Sequence, residues 1–498
     1  MRISTNTIFA QNVTQLDSLS SNVALTQQQV ASGHRILNPA DDPAGAALAL
    51  QVTQTSSLNT EYISNIGTTN DAATLAEGTL QGVTSLLNDV QTTAVQAGNP
   101  TLSNSDRASL ASSMQTDLTQ LIALANSTDA VGNYLFSGFK GSTQPFVNGV
   151  DPATGKPAVQ YQGDDGQHMI QVSPNQQIAT SSSGADIFMR IKNGNGTFAT
   201  QAATSNAGSG IISLGNVINP TLVNGDSYQL LFTGAASYNV YDTSVLAPQA
   251  AATNTGSGIA SSVTVTNPAT VNTDTYQIAF SGPPSTYAIN DQTTGTQVST
   301  GTAYVSGQPI TFNGIQFSMQ GTPANGDTFT INPNNNAVLN SSGTFVSGQS
   351  ISFGGMQFNI QGTPATGDNF TVIPSANESM FQTISNFINT LNTPVIAGNP
   401  ASTAQLTAGV NAAINGMSNA LNSVLMARAS LGSRMNELSS LTSTQTALGT
   451  QYTQTLSTLQ DLDYNKALTQ LSAQQTILTA AQKSFTQVQS LSLFNYIR

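Results

Sequence analysis

The sequence predicts an α+β multidomain protein in which long helices near both chain ends flank an inserted antiparallel β region. Two observations lead to this fold class. Apolar residues follow a helical period at both ends of the 498-residue chain. The middle is instead rich in Gly, Thr, Asn and Pro, carries short alternating apolar runs and repeats itself.

The N-terminal segment is predicted to be an amphipathic helix with one narrow apolar seam. No Gly or Pro occurs between Ser4 and Ser32, and Gly33 then supplies a natural helix stop. Steps of three and four residues along the seam are typical of a helix that packs against another helix. The seam residues, all candidates for an assembly interface, are Phe9, Val13, Leu16, Val23 and Val30.

The C-terminal segment shows the same period in two registers. One apolar seam extends over 441–462 and a second begins at Leu471, so the register shifts near Asp461 and Asp463. Two inner segments, 44–97 and 402–432, are also predicted to be helical, because their apolar residues recur at helical spacing. The interface candidates of the second seam are Leu471, Leu478, Phe485 and Val488, followed by Leu491.

The middle region, residues 146–374, is predicted to form one or two inserted antiparallel β domains. A strong internal repeat occurs at an offset of 41 residues, and a weaker one at an offset of 48 residues. The strong repeat relates 305–317 to 346–358 and 321–331 to 362–372, whereas the weaker repeat relates 210–234 to 258–282.

Turn signals recur within these repeats. Each copy of the strong repeat predicts a hairpin, because its two central residues, Asn313-Gly314 or Gly354-Gly355, favour positive φ. An aspartate also recurs before a Ser, Thr or Asn and an aromatic residue. Four ligand sites are one interpretation, but four equivalent turns are favoured, since Asp bonds nearby backbone. These aspartates are Asp226, Asp274, Asp327 and Asp368.

We therefore expect three parts along the chain. Both ends contribute to the two helical parts, and the β-rich part is inserted between them. The parts are a terminal coiled-coil assembly region (1–40 with 460–498), an α-helical bundle domain (41–145 with 375–459) and the outer β-rich region (146–374).

Composition excludes several functional classes. The chain has no Cys, so it offers no disulfide, no thiolate zinc site and no cysteine nucleophile, and its two His residues make a multi-His metal centre implausible. Net charge is −12 and only 7% of residues are charged, which disfavours nucleic acid as a partner. No apolar run is long enough to span a membrane. Neither a catalytic site, a metal site nor a cofactor is predicted.

Two acidic pairs have structural interpretations. Asp164-Asp165 lies in a sequence typical of a turn between strands and lacks the spaced oxygen ligands of a calcium loop. Asp41-Asp42 follows Asn38 and precedes a proline, so it is predicted to cap the start of a helix. Acid–base chemistry is the less favoured alternative for this pair.

Three segments resemble one bacterial family. QVASGHRILNPADDPAG (29–45), RASLGSRMNEL (428–438) and the closing segment 461–494 are similar to the terminal regions of bacterial flagellins and their junction proteins. The opening MRIST, the segments 102–111 and 124–140, and the ending LSLF favour the hook–filament junction branch over flagellin itself. The resemblance covers about 1–146 and 375–498.

This resemblance implies an extracellular structural protein of the flagellum, without enzyme activity. Such proteins leave the cell through the flagellar type III export apparatus by an uncleaved signal, which agrees with the lack of an apolar signal core in Met1 to Gln11. The implied partners are copies of itself, the neighbouring junction protein FlgK, flagellin, and a cytoplasmic export chaperone at the C-terminal region. The alternatives are a flagellin filament subunit and a secreted β-repeat adhesin or glycan-binding protein.

Three mechanistic hypotheses follow. The terminal helices pair into a coiled coil that is largely disordered in the free monomer and folds on assembly. Their seam residues carry the subunit contacts. The β region faces outward, so export and junction formation are expected to remain possible after deletion of 305–374.

Overall fold

A computed structural model describes residues 5–129, 131–150, 157–244, 247–261, 263–267, 270–271, 274–282, 285–332 and 338–490. The chain divides into two compact units. The first comprises Met1–Ala73, Met169–Thr180 and Ser433–Arg498, and the second comprises Thr74–His168 and Ser181–Gly432.

Both ends of the chain are helical, which confirms the predicted fold class. The first helix stops where Gly33 adopts φ +76°, a conformation that L side chains rarely take. The predicted helical segment 402–432 is part of one longer helix. The helices are α1 (Thr5–Ser32), α2 (Pro43–Ala97), α3 (Asn104–Ala125), α4 (Met380–Asn392), α5 (Pro400–Gln460) and α6 (Tyr464–Ser490).

The predicted register shift near Asp461 coincides with the break between α5 and α6. The backbone N–H of Leu462 donates to the carbonyl of Gly33 at 2.9 Å, and the N–H of Arg35 donates to Gln460 O at 2.7 Å. The end of α1 and the break between α5 and α6 therefore lie side by side, and these two backbone hydrogen bonds join them.

Two helices of the second unit had no counterpart in the predicted elements. α3 begins with a capping box, in which the Ser103 hydroxyl accepts from the N–H of Asp106 and the Asp106 carboxylate accepts from the N–H of Ser103. α4 packs against α3 and buries one face, including Phe381, Ile384 and Phe387. These helices extend the predicted bundle.

The strands of the β-rich part are short and pair antiparallel. One hairpin, β3–β4, belongs to the first unit, and the other strands belong to the second. The strands before the repeats are β1 (Phe146–Val150), β2 (Pro157–Tyr161), β3 (Met169–Ser173), β4 (Gln176–Ala179), β5 (Ile191–Lys192) and β6 (Phe198–Ala202).

The remaining strands lie within the repeats, between them or directly after them. They are β7 (Ile211–Ile212), β8 (Asn216–Val217), β9 (Tyr228–Gly234), β10 (Ser237–Asp242), β11 (Gln249–Ala250), β12 (Ile259–Ala260), β13 (Thr264–Val265), β14 (Tyr276–Ser281), β15 (Thr286–Asp291), β16 (Gln297–Ala303), β17 (Pro309–Phe312), β18 (Ile315–Gln320), β19 (Thr328–Ile331), β20 (Val338–Thr344), β21 (Ser350–Phe353), β22 (Met356–Gln361), β23 (Asn369–Pro374) and β24 (Asn377–Glu378).

The repeats form two β modules, one inserted within the other. We call residues 198–242 with 338–374 the outer module and residues 249–332 the nested module. The outer sheet has the order β20-β10-β9-β23-β6, and the nested sheet has the order β11-β19-β14-β15-β16. β10 pairs with β20, so the whole nested module occupies the connection between two neighbouring strands of the outer module.

Nesting changes one expectation. A deletion of 305–374 would remove β17–β19 of the nested module together with β20–β23 of the outer module, leaving both cores incomplete. The outcome of that deletion stays a prediction, but the deletion cuts through both modules and so does not remove one separable block. The separable segment is the nested module alone.

Candidate functional site

The candidate site is an assembly surface formed by α1 and α6 in the first unit. The two helices run antiparallel, because early residues of α1 contact late residues of α6. The rings of Phe9 and Phe485 lie 5.3 Å apart in a tilted arrangement. Val23 and Ala467 are buried, with exposed fractions of 8% and 5%. An apolar seam therefore joins the two chain ends.

A polar link interrupts this seam where the sequence places Gln474 between apolar positions. The Thr26 hydroxyl lies 2.9 Å from Gln474 Oε1 and donates to it, and it also lies 2.9 Å from Asn22 O. Thr26 is 4% exposed, so the side-chain contact is buried. A buried polar pair of this kind can fix the register of two helices, although it adds little stability. Sequence periodicity registers such a position only as a gap.

Most of the predicted interface residues are only half-covered within one chain. Val13, Leu16, Val30, Leu471, Leu478 and Phe485 are half-buried, whereas Phe9 and Val488 are 46% and 51% exposed. Leu491 lies outside the described residues. One copy of the helix pair thus leaves part of its own seam open to solvent.

Three further apolar residues of α6 are exposed outside this seam. Tyr464, Leu468 and Ile477 are each about half exposed, and Leu468 and Ile477 line a shallow groove with small and hydroxylated side chains. Because Leu468 and Ile477 are nine residues apart, they lie on opposite sides of the helix and border this groove from its two edges. Apolar side chains exposed in this way are typical of a helix that binds another protein.

The loop after α1 is held by charge-assisted hydrogen bonds. Asp42 Oδ1 accepts from the N–H of Gly45 at 2.9 Å, so Asp42 caps α2, and this bond together with the neighbouring Arg35 guanidinium lowers the pKa of Asp42. Arg35 also donates to Leu459 O at 2.9 Å. Asp41 Oδ2 accepts from the N–H groups of Leu37 and Asn38, so it closes the loop rather than capping the helix.

The hairpin turns of the two modules adopt the backbone that their residues favour. Asn313 and Gly314 have φ values of 40° and 76°, and Gly354 and Gly355 have φ values of 53° and 77°. A Cβ atom on Gly314 would lie 2.1 Å from Asn267 O, and one on Gly355 would lie 2.2 Å from Asn219 O. Glycine is required at the second position of both turns because a neighbouring loop packs directly against it.

The four recurring aspartates are not equivalent, contrary to the sequence interpretation. Asp327 and Asp368 are 2% and 1% exposed, and each accepts backbone N–H bonds from a loop that is distant in sequence. Asp226 instead bonds the side chain of Asn224. At Asp274, burial and the nearby Asp291 raise the pKa of the carboxyl group. The second aspartate of each module therefore joins a distant loop, whereas Asp226 bonds a near neighbour in sequence and Asp274 faces Asp291.

Asp164 and Asp165 are engaged by protein groups. Asp164 Oδ1 accepts from the N–H groups of Phe139 and Gly166, and both bonds lower its pKa. Asp165 pairs with Arg190 at 2.5 Å, and Arg190 also pairs with Asp186 at 2.6 Å. Among the described residues no cluster of three metal-ligating side chains occurs. In the same part of the chain, no helix is long and apolar enough to cross a membrane.

Family models match both ends of the chain and the nested module. Residues 3–140 match the bacterial flagellin N-terminal helical region, and residues 414–497 match the bacterial flagellin C-terminal helical region. Residues 249–333 match the D2-like domain of flagellar hook-associated protein 1.

Two curated relatives share a junction-protein name. Flagellar hook-associated protein 3 of Salmonella typhimurium is 36% identical over 191 residues, which cover 38% of this chain and 58% of that protein. Its namesake in Escherichia coli is 36% identical over 146 residues, which cover 29% of this chain and 46% of that protein. The matched part of the chain thus spans about half the length of these relatives.

A solved structure shares the fold. The crystal structure of Xanthomonas campestris FlgL superposes with a TM-score of 0.58 at 23% identity, covering 82% of this chain and 99% of that chain. Together with the family models and the relatives, this similarity confirms the resemblance to FlgL, the third hook-associated protein, and to the flagellin-like family.

Proposed function

We propose that this chain is a structural protein of the bacterial flagellum that forms the junction between hook and filament. The observation that carries the proposal is the paired terminal helices, which cover their seam only in part and leave Leu468 and Ile477 of α6 exposed outside it. An assembly subunit needs such a surface, because its contacts with neighbouring subunits must be apolar yet uncovered in the single chain.

The resemblance to hook-associated protein 3 supports the junction role over the alternatives. The relatives matched over 191 and 146 residues carry that name, and the shared fold covers most of the chain. A flagellin would polymerise into long filaments, and an adhesin would use the β modules as its main binding part. We propose a structural role and assign no reaction to the chain.

The proposed neighbours are further copies of the chain, a FlgK-type junction protein on one side and flagellin on the other. The match of the nested module to a domain of hook-associated protein 1 supports an association with flagellar components. We propose that 1–40 and 460–498 form the assembly region, and that a cytoplasmic chaperone binds the C-terminal part before export. The site of action is then outside the cell.

A deletion strain tests this function. Without the gene, we expect cells to export flagellin into the medium, to carry hooks without filaments and to lose swimming. Restoring the intact gene should return flagellin to the cell-bound fraction. Attached filaments and normal swimming in the deletion strain would contradict the proposal.

A further inference from the structure

The two β modules touch each other through a contact that involves a buried glutamine. Gln229 on β9 of the outer module is fully buried, and its side chain lies against the edge strand β13 of the nested module. Its Nε2 donates to Val265 O at 2.9 Å, and its Oε1 accepts from the N–H of Val265 at 2.7 Å. One side-chain amide thus satisfies both outward backbone groups of an edge residue.

Large side chains surround this amide. Leu231 and Tyr241 of the outer module are 5% and 2% exposed and belong to the apolar core of the nested module. In the outer sheet Tyr241 lies directly opposite Gln229. In this contact the outer module contributes a sheet face and the nested module contributes its edge strand β13. Two different surfaces therefore meet, so the contact is head-to-tail.

Because the modules are copies, each also carries the half of this contact that the other uses. The face of the nested module has Gln277 at the position of Gln229, with Asn290 opposite it in the sheet. Gln277, Ala279 and Asn290 are half-buried, so this face is not fully covered within the chain. Gln277 Oε1 accepts one long bond of 3.2 Å from Gln292, which must give way on docking.

The edge of the outer module corresponds in the same way. Val217 on β8 lies opposite Met356, as Val265 lies opposite Ile315. The next N–H, of Ile218, donates to Gly355 O at 2.9 Å, which leaves the backbone groups of Val217 directed away from the sheet. In the described part of the chain no glutamine side chain bonds Val217 as Gln229 bonds Val265.

Side-chain sizes are exchanged between the two halves. On the outer edge, Ile218 and Leu222 are 52% and 57% exposed, whereas the nested edge has Thr266 and Thr270 at these positions. Conversely, the face that carries large Leu231 in the outer module carries small Ala279 in the nested module. Thr266 and Thr270 stay exposed in the internal contact, so Ile218 and Leu222 mark the rim of the outer edge rather than its centre.

We infer that the nested module of one chain docks on the outer module of a second copy of this chain and repeats the internal contact. The Gln277 amide bonds the backbone groups of Val217 in the neighbouring copy, and Ile218 and Leu222 of that copy lie at the rim of the contact. The contact is heterologous, so it propagates from copy to copy around a ring or helix. It rests on the proposed function only for the setting in which copies lie side by side.

The lack of native cysteine makes this contact directly testable. Ile218→Cys and Ala279→Cys are introduced into separate full-length chains, which are mixed at high concentration and treated with a short bismaleimide. Cross-linked dimers are expected for this mixture, and they should be lost when Gln277→Ala is added to the Ala279→Cys chain. The control mixture pairs Ile218→Cys with Val305→Cys. Val305 is 58% exposed, so it is more accessible than the half-buried Ala279, but it lies outside the docking face.

The outcomes separate this inference from the proposed function. Dimers above the control level in solution support the docking contact even if the deletion strain keeps its filaments. Dimers at or below the control level, or dimers that persist with Gln277→Ala, overturn the docking contact even if the deletion strain sheds its flagellin.

Discussion

Asp368 is predicted to be essential for the stability of the outer β module. Its carboxylate is 1% exposed and accepts three backbone N–H bonds: Oδ1 from Ala207 at 2.7 Å, and Oδ2 from Ala365 at 2.9 Å and from Gly208 at 3.1 Å. Asp368→Ala removes the acceptor and leaves all three donors without a partner. Each buried donor left unsatisfied costs about 1–3 kcal/mol, so the loss should be about 3–6 kcal/mol after some water enters.

Urea unfolding of the full chain, followed by the β-sheet signal in circular dichroism, measures this loss. The matched control is Asp226→Ala, which removes the same residue type from a half-buried turn where the carboxylate meets the Asn224 side chain. We expect the control to change stability by no more than about 0.5 kcal/mol. Equal stability of the Asp368→Ala and Asp226→Ala variants would refute the assignment of Asp368 as the anchor of the loop at 207–208.

Three further predictions concern the other parts of the chain. Burial raises the pKa of the Glu378 carboxyl group, so the wild-type chain loses stability as pH rises through this pKa. Glu378→Gln should therefore raise the Tm at neutral pH, and this gain should vanish below the unfolded-state pKa. A Tm difference that stays the same from neutral pH to below the unfolded-state pKa would contradict this prediction. Replacing 243–337 by the short turn 292–296, which joins β15 to β16, should leave a folded outer module by circular dichroism, whereas a loss of its sheet signal would show that the modules fold only together. Hydrogen exchange of the free monomer should show rapid exchange near Val13 and Phe485, and strong protection there would contradict folding on assembly.

Periodicity predicted the terminal helices well because their packing is local and regular. The α1 seam, its end at Gly33 and the break near Asp461 are all visible as spacing and as single punctuating residues. α3 and α4 were not predicted. The buried positions of α3 do follow steps of four and three residues, but the seam begins with Arg107 and includes two alanines, which weakens its apolar signal. α4 is a short helix directly after strands, so its seam spans few turns.

Nesting of the β modules could not be derived from the repeats alone. The sequence shows two front halves followed by two back halves, an order that fits either two entangled copies or one copy inside the other. The pairing of β9 with β23 and of β14 with β19 decides for one copy inside the other. The same limit applies to Asp327 and Asp368, whose bonds reach loops 71 to 161 residues away in sequence.

The sequence predicted the residues of the α1–α6 seam but not the apolar residues of α6 that are exposed outside it. Leu468 and Ile477 fall outside the heptad positions that contact α1, so a search for one seam passes over them. Thr26 was missed for the opposite reason, because a buried hydroxyl in a seam reads as polar until its partner Gln474 is known.

The account rests most directly on the role of the terminal helix pair in attaching the filament. The decisive measurement is the fraction of flagellin found in the culture medium when the deletion strain produces Phe485→Asp, compared with Val298→Asp on the exposed strand β16 as the control. A carboxylate facing Phe9 would open the seam, so we predict that the Phe485→Asp strain sheds its flagellin while the control strain retains it. Normally attached filaments in the Phe485→Asp strain, with the protein exported at control levels, would contradict the account.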